Sequence, residues 1–423
     1  MMNAVFGPSR LSGVAAAPAS KSEAHRRMIC AGLSRNETVL SGFMDSADMA
    51  ATTRCLEALG AVLRQEGDTL TLRGFVNKPA LLPVFDCGES GSTLRFFVPI
   101  AMALSNGGIF RMHGRLGQRP MDVYRELFVP RGVLWRMSEG ADGAAELTVS
   151  GGLNPGNYVI QGDVSSQFVS GLLFALPLLP GDSTLTVLPP VESAGYINMT
   201  VKALQDSGIR IQENAPFSWQ IPGCQQYHSV SGHLHGDWSQ AAVLLCAGAL
   251  GSDVTVSHIS TDTMQGDAAV LKHLSTLGAR VCQDAQGIRV VRGEMHGAVL
   301  DMHDCPDIAP ILTLVCQLSP GTSRLTGCRR LRLKECDRLA ATVEVLNTLG
   351  GCCEEDGDDI VVHGVSSLRG GCLKDYNDHR MVMLASVAAL VSDAPVQVPG
   401  VQAINKSWPD YLSVYRSLGG NVE

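Results

Sequence analysis

Two kinds of apolar run alternate along the chain. One is long and unbroken by charge, as in residues 164–181; the other is short and alternating or β-branched, as in STLTVL from Ser183 and DIVVHG from Asp359. The short runs have the period of two expected of strands. The long run carries three serines, a glutamine and two prolines, so it reads as a buried helix with its turn and not as a membrane span. A further helix is expected to close on the glycine pair Gly350 and Gly351. The pattern predicts a mixed α/β protein.

Similar strings open the apolar helical runs. They are PASKSEAH from Pro18, GESGSTL from Gly88, GDVSSQF from Gly162, GDWSQAA from Gly236, DCPDIAP from Asp304 and DYNDHRM from Asp375. They recur at roughly seventy residues, so six units of one design account for the chain. Each string marks a helix start, where unpaired backbone N–H groups and the helix dipole favour an anion. Any one of them is explained by ordinary capping. Chance caps keep no period, and six converging starts would make an anion site without a basic surface.

Length and composition narrow the class. At 423 residues the chain is too long for one ordinary core, so two domains are expected. With 45% hydrophobic and 17% charged residues, and 45 glycines, it is compact and rich in tight connections. A formal net charge of −8 opposes nucleic-acid binding, so any anion site is local. Thirteen cysteines form no CxxC pair or zinc-spaced Cys/His run, and Cys352 and Cys353 are adjacent, which points to reduced thiols in a cytoplasmic protein. The small-residue stretch GVAAAPAS lacks a basic region before an apolar segment, so no targeting peptide and no membrane partner are expected.

Lys21 and Ser22 are expected at a helix N-terminus, with Arg26 on the face of Ser22 by i, i+4 spacing, a set suited to phosphate or carboxylate. Ala19 and Ser20 stand where a P-loop needs its tight glycine turn, which disfavours a nucleotide kinase. In RLKECDRL, Lys334 and Arg338 are expected four apart on one helix, with Glu335 as acid or base or as part of a solvated salt-bridge face. Asp301, Asp304 and Asp307 surround Pro306, and capping by Asp304 or Asp307 is a commoner explanation than a metal site. Arg380 stands early in an apolar helix beside Asp378 and His379, with a structural or capping role expected for His379; Arg119 and Lys406 complete the cations.

Taken in order, these strings resemble the 5-enolpyruvylshikimate-3-phosphate synthase family from about Pro18 to Tyr411. The KSxxxR pattern falls on Lys21, Ser22 and Arg26, the serine pair and glutamine on Ser165, Ser166 and Gln167, and ESAGYI on Ser193 and Tyr196. Arg119, Asp307, the KExDR residues Lys334, Glu335 and Arg338, then Arg380 and Lys406 complete the match. The resemblance implies a two-domain inside-out α/β barrel of six βαβαββ repeats, three per domain, with residues 20–234 in one domain, residues 1–19 and 235–423 in the other, and the substrates in the cleft.

It also implies transfer of the enolpyruvyl group of phosphoenolpyruvate to the 5-hydroxyl of shikimate 3-phosphate. Lys21, Gly91, Arg119, Gln167, Arg338, Arg380 and Lys406 would hold phosphoenolpyruvate. Lys21, Ser22, Arg26, Ser165, Ser166, Gln167, Ser193, Asp307 and Lys334 would hold shikimate 3-phosphate. Asp307 would act as base and Glu335 as proton donor and then acceptor, with Lys21 stabilising charge. No metal or organic cofactor is required, and a monomer is expected. Two positions depart from the pattern: Glu89 stands where an asparagine often precedes the small-Gly pair, and Arg330 where some members use an asparagine near the shikimate phosphate.

Three rivals remain beside that reading. An enzyme transferring enolpyruvate to UDP-N-acetylglucosamine would show a KN pair at Lys21 and Ser22 and a reactive cysteine near Arg119, and residues 111–136 contain none. An RNA 3′-phosphate cyclase of similar architecture conflicts with the acidic balance. A non-catalytic metabolite-binding relative is separable by assay.

Overall fold

The computed structural model describes residues 2–75, 82–140 and 142–423. Contacts cluster into two compact units, residues 19–234 and residues 1–18 with 235–423.

The repeat is plainest where the chain runs through it without interruption. Val84–Asp86 leads into the helix Gly91–Ser105, then the strand Gly107–Met112, the helix Asp122–Phe128 and the hairpin Leu134–Glu139 with Ala145–Ser150. The first strand pairs parallel with the second, which the intervening helix makes possible, and the fourth strand lies antiparallel between the second and third. All six sheets among the described residues have four strands in this order, so the six-fold string periodicity is a βαβαββ repeat, three to each unit.

The repeats are not all contiguous. Gly232–His233, at the end of its unit, supplies the first strand beside Thr38–Ser41. Ser12–Ala16 does the same beside Asp253–Ser257, and Asn3–Gly7 supplies the fourth strand of the last repeat. The chain leaves each unit between a first strand and the helix that would follow it.

The string-bearing helices form the inside of each unit. Trp238–Ala249, Ala309–Gln317 and His379–Leu390 pack on one another, and every residue in them is buried. That burial explains their largely apolar sequence, since a helix hydrophobic on all faces has no solvent side. In the other unit Gly91–Ser105 packs on Ser166–Ala175, the expected buried helix of residues 164–181. Sheets face outward, as in Val62–Glu66, where side chains are largely exposed. The arrangement is an inside-out α/β barrel.

One contact sets how closely the inner helices approach. A methyl group on Gly171 would stand 2.3 Å from the Arg95 carbonyl oxygen and 2.3 Å from Tyr124 Oη. Tyr124 Oη itself lies 2.9 Å from the Arg95 carbonyl and 2.8 Å from that of Phe168, so its hydroxyl bridges the two helices. Among the described residues no helix is long and apolar enough to cross a membrane.

One expectation fails. Lys334 and Glu335 do not share a helix with Arg338: Lys334 is extended, and the helix Arg338–Thr348 begins only after Asp337, whose carboxylate accepts from the Ala340 N–H at 3.1 Å. A capping aspartate stopped the helix where i, i+4 spacing suggested it continued.

Gly171→Ala is expected to force the two helices apart and cost about 1–3 kcal/mol, the usual range for overpacking. Thermal unfolding by circular dichroism checks it; an unchanged melting temperature would show that the helices do not depend on this close approach.

Candidate active site

The unit of residues 19–234 gathers its polar groups at three helix starts. Ser20 caps Lys21–Leu33 by accepting from the Glu23 N–H, Ser90 caps Gly91–Ser105 by accepting from Thr93, and Ser165 caps Ser166–Ala175 by accepting from Gln167. Each cap satisfies one of the orphan donors and leaves others for an anion. Lys21 and Ser22 thus stand in the first turn. Lys21 Nζ is 2.7 Å from Asp48 Oδ2, a partner from the neighbouring helix Ala47–Ala58.

Arg26 is buried, as its helix face requires. Its guanidinium donates to Ser22 O at 2.7 Å, Tyr196 O at 2.9 Å and Thr200 Oγ1 at 2.8 Å, and reaches Ser170 Oγ at 3.5 Å. Among the described residues these partners are carbonyls and hydroxyls, with no carboxylate among them. Burial lowers its pKa to about 10, so it remains charged at neutral pH. A buried cation without a counter-charge favours an anion nearby. Ser193, buried and in the left-handed region at φ 55°, precedes the helix Ala194–Asp206 that supplies the Tyr196 carbonyl.

Gly91 and Arg119 come together as a pair. A methyl on Gly91 would lie 2.8 Å from Arg119 Nη1, so glycine is what lets the guanidinium lie over this helix start. Gln167 is held from both ends: its Oε1 accepts from Arg95 Nη1 at 2.6 Å and its Nε2 donates to Ser92 Oγ at 2.8 Å. Arg95, buried with its guanidinium 4.9 Å from the Phe168 ring centre, also donates to Pro120 O at 3.1 Å. Sequence reasoning missed Arg95 and Asp48, whose apolar surroundings and capping string gave no chemical signal. Glu89 packs by Gly114, where a methyl would stand 2.6 Å from its carboxyl.

In the other unit Lys334 and Arg338 are tied to carboxylates. Arg338, 2% exposed, donates to Asp378 Oδ2 through Nε at 2.7 Å, to Glu335 Oε2 through Nη2 at 2.6 Å and to Asp307 Oδ1 through Nη1 at 2.7 Å. Burial acts to lower its pKa, but Asp378, Glu335 and Asp307 outweigh it and hold it well above the ordinary value. Asp307, on the turn Pro306–Ile308, also receives Lys334 Nζ at 2.9 Å on the same Oδ1. Burial acts to raise the Asp307 carboxyl, yet Lys334, Arg338 and Arg380 hold it well below the usual carboxylate range. Its Oδ2 carries no hydrogen bond among the described residues, and the side chain is 29% exposed. The cap position of the helix Ala309–Gln317 is Ile308, and Asp307 Oδ1 turns instead to Lys334 and Arg338.

Arg380 donates to the Ser239 carbonyl at 2.6 Å and to Ser239 Oγ at 2.5 Å. Ser239 in turn donates to Asp237, which caps its helix. Asp378 caps His379–Leu390 through the Arg380 N–H at 2.8 Å, so the capping residue is Asp378 and His379 is a buried helix residue. Lys406 donates to the Asn377 carbonyl at 2.7 Å. Arg330 is buried and donates to His303 O at 2.5 Å; with Arg338 it adds to the burial that lowers the Lys334 pKa. No group of His, Cys, Asp or Glu able to hold a metal occurs among the described residues.

Six βαβαββ repeats with cations set at the starts of their inner helices define the enolpyruvyl transferase class. The model of EPSP synthase (3-phosphoshikimate 1-carboxyvinyltransferase) matches residues 5–415, and the chain belongs to that family. It is 36% identical over 427 residues to the 3-phosphoshikimate 1-carboxyvinyltransferase of Clostridioides difficile, covering 98% of this chain and 97% of that one. It is 38% identical to that of Clostridium perfringens, covering 99% of each. Among solved structures, the EPSP synthase of Acinetobacter baumannii has a TM-score of 0.80 at 21% identity, covering 100% of this chain and 99% of the other. The enolpyruvyl transferase NikO of Streptomyces tendae has a TM-score of 0.78 at 18% identity, covering 100% and 98%, and both show the shared fold.

Two outcomes follow from this geometry. Because the Asp307 carboxyl is depressed in the folded chain, its stabilisation is present above the ordinary carboxylate pKa and is lost as pH falls through the folded one. The stability gap between wild type and Asp307→Asn, measured by urea unfolding, should therefore shrink below about pH 4. Arg95→Ala, which frees one end of Gln167, is expected to cost at least tenfold in kcat/KM, since it removes a buried charge-assisted hydrogen bond worth about 1.5–3 kcal/mol; an unchanged value would show that the Gln167 amide needs no fixing.

Proposed function

We propose that the chain transfers the enolpyruvyl group of phosphoenolpyruvate to the 5-hydroxyl of shikimate 3-phosphate and releases phosphate, the reaction that its family and its relatives' names describe. The observation that carries the residue assignment is the Asp307–Lys334–Arg338–Glu335 cluster, where two carboxylates are held among cations within hydrogen-bonding distance.

Both substrates bring a phosphate and a carboxylate, and their repulsion must be offset by positive charge. We assign Lys21, Gly91, Arg119, Gln167, Arg338, Arg380 and Lys406 to phosphoenolpyruvate. Lys21, Ser22, Arg26, Ser165, Ser166, Gln167, Ser193, Asp307 and Lys334 serve shikimate 3-phosphate. Arg26, which has no carboxylate partner among the described residues, suits an anionic group directly. Arg338 must exchange one protein carboxylate for a ligand oxygen, which loosens its hold on Asp307 or Glu335 as substrate arrives.

In the first half-reaction, the 5-oxygen bonds to the central carbon of phosphoenolpyruvate while the methylene carbon takes a proton. Asp307 Oδ2, which carries no hydrogen bond among the described residues, accepts the hydroxyl proton. A carboxyl held at low pKa is a weak base toward a resting alcohol, but the hydroxyl becomes strongly acidic as its oxygen forms the new bond. Glu335 donates the proton to carbon. In the second half, phosphate leaves the tetrahedral intermediate, and Glu335 takes a methyl proton back to regenerate the double bond. Lys21 stabilises the charge that develops at the reacting centre.

The test is phosphate release with both substrates, run beside UDP-N-acetylglucosamine as the alternative acceptor. Release is expected only with shikimate 3-phosphate, and Asp307→Ala and Glu335→Gln should each lower kcat by about 10²–10⁴-fold, the range for a general acid or base. Release with the nucleotide sugar alone, or variants of undiminished kcat, would refute the assignment.

A further inference from the structure

A buried file of hydroxyl and imidazole groups, none of them charged in the proposed mechanism, runs through the unit of residues 19–234. Thr93 Oγ1 donates to Ser90 Oγ at 2.7 Å, and Ser90 Oγ also accepts from the Thr93 N–H at 3.3 Å. Thr93 Oγ1 is in turn 2.8 Å from Thr52 Oγ1, and Thr52 Oγ1 is 2.8 Å from His25 Nδ1. All four side chains are buried.

With Thr93 donating to Ser90, the direction of the other two side-chain bonds follows. A hydroxyl has one proton. Thr93 spends its proton on Ser90, so the contact between the threonines must be donated by Thr52. Thr52 then has none left, and His25 must donate from Nδ1. Burial, with Lys21 and Arg26 adding to it, holds the His25 pKa well below the ordinary value, so the ring is neutral and its proton resides on Nδ1. His25 Nε2 agrees: it is buried without a hydrogen-bond partner among the described residues, and the ring meets Phe96 edge-on at 6.2 Å.

The far end of the file is the useful one. Ser90 accepts two hydrogen bonds and makes no donation among the described residues, and at 1% exposure it has little access to bulk water. It stands at the helix start that Gly91 opens and the Arg119 guanidinium covers. We propose that the chain from His25 through Thr52 and Thr93 turns the Ser90 hydroxyl proton toward the anion received at Gly91 and Arg119, which makes Ser90 a further phosphoenolpyruvate-binding residue and His25, Thr52 and Thr93 positioning residues. The identity of that anion rests on the function proposed above; the polarity of the chain does not.

Two measurements on the full chain separate these claims. Long-range proton–nitrogen correlation NMR of the 15N-labelled wild type, without substrate, should show His25 neutral with its proton on Nδ1; a proton on Nε2 would overturn the relay. In steady-state kinetics, Ser90→Ala should raise KM for phosphoenolpyruvate about tenfold, the loss of a hydrogen bond to a charged group, and leave KM for shikimate 3-phosphate and kcat within about twofold. Thr93→Val should reproduce that shift and release the His25 tautomer, while Thr93→Ser restores both. An unchanged KM for phosphoenolpyruvate in Ser90→Ala would overturn the binding role. A wild type that releases no phosphate from the two substrates would overturn the proposed function and the choice of phosphoenolpyruvate as ligand, with the tautomer still reading the relay.

Discussion

A helix buried along its whole length must still satisfy the N–H groups of its first turn, and that constraint organises this protein. The repeat answers it by placing a short polar cap immediately before an apolar run. Ser20, Ser90, Ser165, Asp237 and Asp378 each accept from a backbone N–H two or three residues on. The cap leaves donors over, and the dipole favours negative charge at the same spot. Structural necessity and anion affinity therefore coincide at these five inner helix starts, and the cations need only be added around them.

The two units add them differently. In residues 19–234, the partners of Arg26 among the described residues are carbonyls and hydroxyls, so its charge is available to a ligand. In the other unit Arg338 is shared among three carboxylates and Lys334 bonds Asp307. The first arrangement suits binding. The second suits chemistry, because a carboxylate can change its proton affinity only if the cation holding it can be drawn off by a ligand. Removing one member of such a buried set exposes the others to an uncompensated charge, so the set behaves as a unit.

Much of this was legible in the sequence because the repeat is local. The period of the capping strings gave the six units, and the polar interruptions of residues 164–181 separated a buried helix from a membrane span. The partners of the site residues were not legible. Lys21 meets Asp48 across 27 residues, Arg338 meets Asp378 across 40 and Arg95 meets Gln167 across 72. Those pairings are decided by which helices pack together, and nothing in the spacing of single charges encodes that. The KExDR string shows a competing local signal: helical spacing from Lys334 to Arg338 lost to the stronger preference of Asp337 for a cap.

The file from His25 to Ser90 belongs to the same logic of buried polar groups. An isolated serine cap would leave its proton free to rotate among several acceptors, and a rotating hydroxyl loses entropy when a ligand fixes it. Here the lone pairs of Ser90 are occupied by Thr93, and Thr93 is in turn held by Thr52. The orientation is established during folding, in a region whose neutral ring and hydroxyls add no charge to the site. Preorganisation of this kind lowers the cost of binding without strengthening any single contact, and it places part of the affinity for an anion in residues that never touch it.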